Sequence, residues 1–453
     1  MKSKTRIYAV CYGPKETISG TGYDPKSRKE KLLDKLSKGC KDIELIGWEI
    51  ISDFKELEKI EEREEIDGIF LYFLEDVSGE IPWFFKEEKL DAFSFKKHPL
   101  VFACDWLRFG GGTRFLEFCD LVKQENLPAI PVYSSNFNDI IRAIHLIDII
   151  HRMKESKILN VGRSEDLWDH SYLWRWKSNE YLKTLNEAFG TQVITIGYED
   201  LNRYYEEVNE EQARKLAKKW MDEAIAVEPG EDEIIKSARM YFAIKKAMEN
   251  VGADAITIDC ISLLLKSDKR LIPAYPCLAF AQLNDEGSTG VCEADMDGTV
   301  TQLVMRYLTG RPGFISDQTF DTFTNQMIYW HCIAPTKLFG KDNASVPYKI
   351  RITHTGEGAG HEVIAPSNEI ATAVKLDVRD RKVAIHQGRC IGNSCFPGCR
   401  TQWVFKADAK NILNNYRHQM FGRHRVIVFG DFRNEILNLA KLLGFEVIEE
   451  DKR

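Results

Sequence analysis

A chain of 453 residues has room for two to four domains, and 44% apolar with 29% charged residues is the composition of an ordinary globular protein with several cores. A net charge of −7 with both signs interspersed argues against a nucleic-acid surface, and no run approaches the roughly 18 apolar residues of a membrane span. The apolar run at 7–12 is strand-length and no cleavage site follows it, while eleven scattered cysteines, an odd number, fit a reducing compartment. The expectation is a cytoplasmic protein.

Strand-like and helix-like segments alternate through the first 150 residues. Apolar runs at 7–11, 43–50, 68–74, 100–103 and 130–132 read as strands, and amphipathic stretches at 28–38, 54–63, 113–124 and 138–153 as helices. Such alternation predicts an α/β domain with a mainly parallel sheet and right-handed crossovers, assigned to residues 1–156. Gly110, Gly111 and Gly112 before Thr113 and Arg114 could cradle an anion, but the run lacks a P-loop lysine and dinucleotide spacing, so a flexible loop with a helix cap accounts for it better.

A second α/β domain is expected over 157–317, with strands at 158–161, 192–196 and 255–258 and charged amphipathic helices at 210–223 and 233–249. Trp168, Trp174 and Trp176 form an aromatic stretch that could stack on a sugar ring or simply pack. From 318 to 453 the pattern changes to alternating segments at 348–354, 369–378, 382–386 and 402–406 separated by Gly, Asn and Asp turns, which predicts a mainly antiparallel, barrel-like β domain. One further α/β piece is expected at 426–447. His354, His361 and His386 fall in this region and read as packing or surface residues, with His354 the best placed for substrate. Cys390, Cys395 and Cys399 admit either a zinc or iron–sulfur site or a loop of small buried side chains; no two of them form a Cys-x-x-Cys pair.

Residues 277–332 carry the chemistry. An apolar helix at 278–285 is followed by a glycine turn, then Cys292, Glu293, Ala294 and Asp295. A helix follows with Val300, Leu303, Val304, Tyr307 and Leu308 at helical spacing; Asp297 or Thr299 would cap its start, Gly310 would close it and Pro312 prevent its continuation. Next come Phe314 to Asp317 as a strand ending in a carboxylate, and then His331. A helix–turn–strand of this length folds the chain back, so Glu293 and Asp317 could lie side by side. Two carboxylates and an imidazole suit a divalent cation such as Mn²⁺, although a cap and a turn former would explain the carboxylates as well.

Pro276 to Phe280, Asn284 to Gly287, Cys292-Glu293-Ala294-Asp295 and Ser316-Asp317 resemble the L-fucose isomerase and L-arabinose isomerase superfamily. His331-Cys332 with Ala334-Pro335, and the tail from Gly422-Arg423-His424-Arg425 to Gly444, are similar to that superfamily's later segments. The resemblance implies two Rossmann-like α/β domains and a β-rich C-terminal domain, a trimer or hexamer with shared sites, and a loop near Gly110 acting as a lid for a neighbour. It implies a Mn²⁺-dependent aldose–ketose isomerase acting on a free pentose, hexose or deoxyhexose. Glu293 and Asp317 would bind metal and shuttle the proton, with His331 and His424 as further ligands and His418 a nearby competitor. Trp168, Arg400 and His354 are substrate-binding candidates, and Arg108, Arg114 and Arg400 would serve a charged sugar. The rival readings are an epimerase or lyase using the same enediolate, and a non-catalytic sugar-binding regulator.

Overall fold

The structure is a computed structural model and describes residues 3–16, 24–53, 55–61, 63, 65–74, 97–105, 111–162, 178–264 and 270–453. The chain divides into two compact units, one made of Met1–Arg152 with Asn434–Phe445, the other of Met153–Arg433 with Glu446–Arg453.

In the first unit, β1 (Thr5–Tyr12), α1 (Pro25–Gly39), β2 (Ile43–Ile51), α2 (Lys55–Glu61), β3 (Gly68–Phe73), β4 (Leu100–Cys104), α3 (Gly111–Gln124), β5 (Ala129–Tyr133) and α4 (Phe137–Lys154) alternate. The strands form one parallel sheet in the order β2-β1-β3-β4-β5. Parallel strands are covered on both faces, which is why β3 and β4 are nearly continuous apolar runs. Phe73, Phe102, Phe115 and Phe118 meet edge-on and tilted in its core. Asp24 caps α1 by accepting from the Lys26 amide, with Pro25 at the first helical position, where its missing N–H costs nothing.

The second unit begins with β6 (Lys157–Gly162), α5 (Ser178–Phe189), β7 (Gln192–Gly197), α6 (Tyr198–Glu206), α7 (Glu210–Glu223), α8 (Glu231–Val251), β8 (Ala255–Ile258), α9 (Cys260–Leu264), α10 (Cys277–Asp285), β9 (Thr289–Cys292) and α11 (Met296–Thr309). Its first sheet is parallel, in the order β7-β6-β8-β9. Helices α5 and α6 were not expected from the sequence. Helix α6 starts directly at the end of β7, with Gly197 as its N-cap, so no turn cluster announces it.

There follow β10 (Phe314–Asp321), β11 (Gln326–His331), β12 (Tyr348–Ile352), β13 (Ala359–Val363), β14 (Ile370–Asp377), β15 (Lys382–Asn393), β16 (Thr401–Lys406), α12 (Ala409–Asn415), α13 (His418–Phe421), β17 (Arg425–Phe429), α14 (Arg433–Leu443) and β18 (Glu446–Glu449). Six strands run antiparallel in the order β14-β17-β10-β11-β16-β15, and pairing of β14 with β15 closes them into a barrel. The fold is therefore mixed α/β with parallel-sheet regions and a C-terminal antiparallel barrel, as the sequence implied. The expected α/β piece at 426–447 is present as β17, α14 and β18, and its strands join the barrel sheet, β17 as a barrel strand and β18 parallel to β15. Trp403 is fully buried, packs on Phe314 and Phe429, and donates its indole N–H to the Val363 carbonyl at 3.0 Å.

One ion pair fastens β18 and β17. Arg425 and Glu450 are both fully buried, with Nη2 2.6 Å from Oε1, and His386 Nδ1 lies 2.7 Å from Oε2. Burial works against the Glu450 charge, but Arg425 and His386 outweigh it and hold the carboxyl down at about 2. Removing one partner leaves the other charge buried, so Glu450→Ala should lower stability by about 3–5 kcal/mol in denaturant unfolding at neutral pH. A loss within ~0.5 kcal/mol, the range of an ordinary surface substitution, would show that the pair does not anchor the barrel edge.

Candidate metal and catalytic site

Glu293 follows β9 immediately, at the carboxyl ends of parallel strands, where open α/β sheets place ligands. The Ala294 amide donates to the Ile258 carbonyl at 3.0 Å, which ties the turn to β8. Glu293 and Ala294 both lie in the left-handed region, with φ of 64° and 50°. Non-glycine residues there cost about 1–3 kcal/mol each, and such strain collects at functional sites. The reversal lets helix α11 begin only two residues later. Its cap is Asp295, which accepts from the Gly298 amide at 2.8 Å, rather than the expected Asp297 or Thr299. The rest of the helix reading holds: Val300, Leu303, Val304 and Tyr307 are buried, and Gly310 closes the helix at φ 66°.

Asp317 is the fourth residue of β10, inside the strand rather than at its end. Strand register brings its neighbours. Ser316 pairs with Arg425, so one step further Asp317 stands beside His424 just ahead of β17, and Asp317 itself pairs with Trp330 in β11, next to His331. Glu293, Asp317, His331 and His424 thus come from four segments and meet in the interior, each 9% exposed or less. His331 Nε2 lies 3.3 Å from Glu293 Oε1, and His424 Nε2 lies 3.6 Å from both Glu293 Oε2 and Asp317 Oδ1. Arg423 reaches the same carboxylates, with Nη2 2.9 Å from Glu293 Oε2 and Nε 2.9 Å from Asp317 Oδ1.

The tautomer of His424 follows from its other nitrogen. Nδ1 lies 2.9 Å from Asp295 Oδ2 and donates to it, so the Nε2 lone pair points at Glu293 and Asp317. The same Asp295 oxygen accepts from Lys375, a fully buried lysine in β14. Burial works against the Asp295 charge, but Lys375 and His424 hold the carboxyl well below the usual range. Burial likewise opposes the Glu293 charge and is outweighed by His331, His424 and Arg423, which keep Glu293 ionised. For His331 burial alone would depress basicity, yet the Glu293 and Asp317 carboxylates raise it to about 9.

The donor set suits a divalent cation. His424 Nε2 is buried and makes no hydrogen bond of acceptable geometry among the described residues, although unsatisfied buried polar atoms are rare. Asp317, His331 and His424 offer ligand atoms that all lie within 4.8 Å of one another, as do Cys292, Glu293 and His331, and these residues would hold the cation. Glu293, Asp317, His331 and Arg423 line a cavity of about 360 Å³ together with Tyr275 and His354.

The other sequence candidates fall as follows. His418 is exposed in the short helix α13 and stands apart from this cluster. Arg400 donates Nη2 to the Thr353 carbonyl at 3.2 Å and Nε to the Ile352 carbonyl, so its guanidinium is occupied with backbone. His361 Nδ1 donates to the Ala334 carbonyl at 3.1 Å deep in the core, where burial pushes its pKa down to about 4, and His386 belongs to the Glu450 network. Arg114 pairs with Glu117 within α3. Trp168, Trp174, Trp176, Arg108 and Gly110 lie outside the described residues. Cys390 is buried in β15 and Cys395 is exposed, and among the described residues only Cys399 of those three joins a cluster of possible ligands. Sequence reasoning missed Asp295 and Lys375 as partners of His424. The available signal was a lone lysine within the apolar run Ala371 to Leu376.

No protein-family model matches the chain. It is similar to the sulfoquinovose isomerase of Priestia megaterium (strain ATCC 12872 / QMB1551), at 22% identity over 331 residues covering 68% of this chain and 67% of that protein. The sulfoquinovose isomerase of Alkalicoccus urumqiensis is 18% identical over 321 residues, covering 67% and 68%, and that of Clostridium sp. (strain MSTE9) is 25% identical over 188 residues, covering 38% and 39%. At these identities the kinship is at the superfamily level, with proteins named as sugar isomerases.

Proposed function

We propose that this chain is a metal-dependent aldose–ketose isomerase acting on a free sugar through an enediolate. Glu293 and Asp317 are the metal-binding acid–base pair, and His331 and His424 complete the ligand set. The observation that carries this reading is the buried His424 Nε2, which has no hydrogen-bond partner among the described residues and lies 3.6 Å from both Glu293 Oε2 and Asp317 Oδ1, two carboxylates that line a sugar-sized cavity. The kinship with sugar isomerases supports it independently.

A bound divalent cation would polarise the sugar carbonyl and stabilise the negative charge of the enediolate. The chain's own residues supply the rest. Glu293 is held ionised by His331, His424 and Arg423, the state able to accept a proton from carbon and return it to the adjacent carbon. Arg423 reaches both carboxylates and offers a cation where charge develops on substrate oxygen. Asp295 and Lys375 orient His424 from behind. The buried setting of the carboxylates limits access of water to the enediolate.

Purified protein with added Mn²⁺ should convert an aldose to its ketose, with sulfoquinovose the first sugar to assay, and chelator should abolish turnover. Glu293→Gln should lower kcat by about 100–10,000-fold. An epimeric aldose as sole product would reassign the site to epimerisation, and no product from a broad aldose panel with metal would sink the isomerase reading.

Because His331 is raised to about 9, metal uptake must displace its proton at lower pH. Apparent Mn²⁺ affinity should therefore rise about tenfold per pH unit between pH 7 and 9 and level off above that. Calorimetry in buffers of different ionisation enthalpy would detect release of this proton; a flat profile would remove His331 from the ligand set. Asp295→Asn, which weakens the hold on His424, should reduce metal affinity by about 10–100-fold while leaving Glu293 in place. Unchanged affinity would show that Asp295 serves only as a helix cap.

A further inference from the structure

The same cavity holds a second group of donors that the isomerase chemistry does not use. Cys332, His354 and Cys399 present two sulfurs and one imidazole nitrogen, all within 4.8 Å of one another. His354 Nδ1 lies 3.3 Å from Cys399 Sγ. Both cysteines are buried, while His354 is exposed, and all three line the cavity.

Three separate devices build this grouping. Cys332 directly follows β11, and strand β13 passes close against it: the His361 amide donates to the Cys332 carbonyl at 3.1 Å, and a Cβ on Gly360 would stand only 3.1 Å from Cys332 Cβ. His331 pairs with Thr401, so the residues just before β16 run alongside Cys332 and deliver Cys399. Arg400 grips the carbonyls of Ile352 and Thr353 and so fixes the turn that carries His354 next to Cys399. The turn is itself tied, with Thr353 Oγ1 donating to the Glu357 carbonyl at 2.6 Å and facing Thr355 Oγ1 at 2.8 Å.

We propose that Cys332, Cys399 and His354 form a site for a soft divalent cation of the zinc type, separate in its ligands from the carboxylate–histidine site. Tetrahedral zinc with sulfur bonds of about 2.3 Å and nitrogen bonds of about 2.0–2.1 Å sets ligand atoms roughly 3.5–3.8 Å apart, which these side chains reach with small movements. Thiolate and imidazole select zinc over the hard cations that carboxylates hold, so the two donor sets sort metals by softness. Three protein ligands leave a fourth position on the cavity side for water or for a ligand in the cavity. The proposal does not depend on the isomerase reading, and its test uses no turnover.

Cobalt(II) is the probe, because thiolate ligation gives it a near-ultraviolet charge-transfer absorption that carboxylate and imidazole ligands do not. Titration of the full-length, metal-free protein should produce this band. It should vanish in Cys332→Ala and in Cys399→Ala and persist in Cys292→Ala, whose thiol lies 3.6 Å from His331, and in Glu293→Gln. His354→Ala, at an exposed position outside the core, should weaken cobalt binding at the band by at least about tenfold. Absence of the band in the wild-type protein, its loss in Cys292→Ala alone, or an unchanged titration in His354→Ala would overturn the assignment.

Discussion

The Asp295 carboxylate is the constraint on which the site rests. It caps α11, receives the buried lysine of β14 and holds the imidazole of His424, three elements that meet only after the barrel has closed. A buried carboxylate with one cationic partner is barely compensated; with an amide, an ammonium and an imidazole its acceptor capacity is used and its charge balanced. Further contacts hold α11 in place: the Leu376 amide of β14 donates to Thr301 Oγ1 at 2.9 Å, and Tyr181 of α5 donates to Asp297 at 2.6 Å. Asp297, one helical step from this balance, carries the opposite shift. Burial pushes it up to about 7, with Lys375 opposing and Asp377 adding to the rise. Two aspartates a residue apart are thus held in contrasting states by which of them faces the lysine's ammonium and the histidine.

Much of the architecture was readable because the hydrophobic period is regular. β1 through β5 and β6 through β8 each sit within two residues of the apolar runs that announce them, and the central strands β3, β4 and β8 are buried on both faces. The antiparallel region was legible as alternation, but not the closure of β14 on β15, nor the return of β17 and β18 to one sheet. Those depend on pairings between segments far apart in the chain. Helix α6 was hidden because it follows β7 without a gap.

For the site, the four residues Glu293, Asp317, His331 and His424 were named by resemblance, and the structure brings them within a few ångströms. The spacing of 293–317 suggested that Glu293 and Asp317 lie side by side, but the arrival of His424 follows from register: Ser316 opposite Arg425 sets Asp317 beside His424 across 107 residues of sequence, a separation that no local pattern encodes. The left-handed backbone at Glu293 was equally invisible, since neither Glu nor Ala signals positive φ. The cysteines illustrate the reverse error. The sequence drew attention to Cys390 and Cys395 as neighbours of Cys399, whereas the fold gives Cys399 partners from β11 and from the turn after β12.

The path of the chain near its end has a consequence for biogenesis. After Arg433 the polypeptide leaves the unit that holds the barrel, contributes Asn434–Phe445 to the N-terminal unit, and returns to lay down β18. Neither unit is a continuous stretch of sequence. Domains commonly fold in order as they emerge from the ribosome, but here the N-terminal unit lacks α14 until the barrel strands that precede it have been made. The strands β1 to β5 must therefore wait for α14, a segment made after the barrel strands β10 to β17, before their unit is complete.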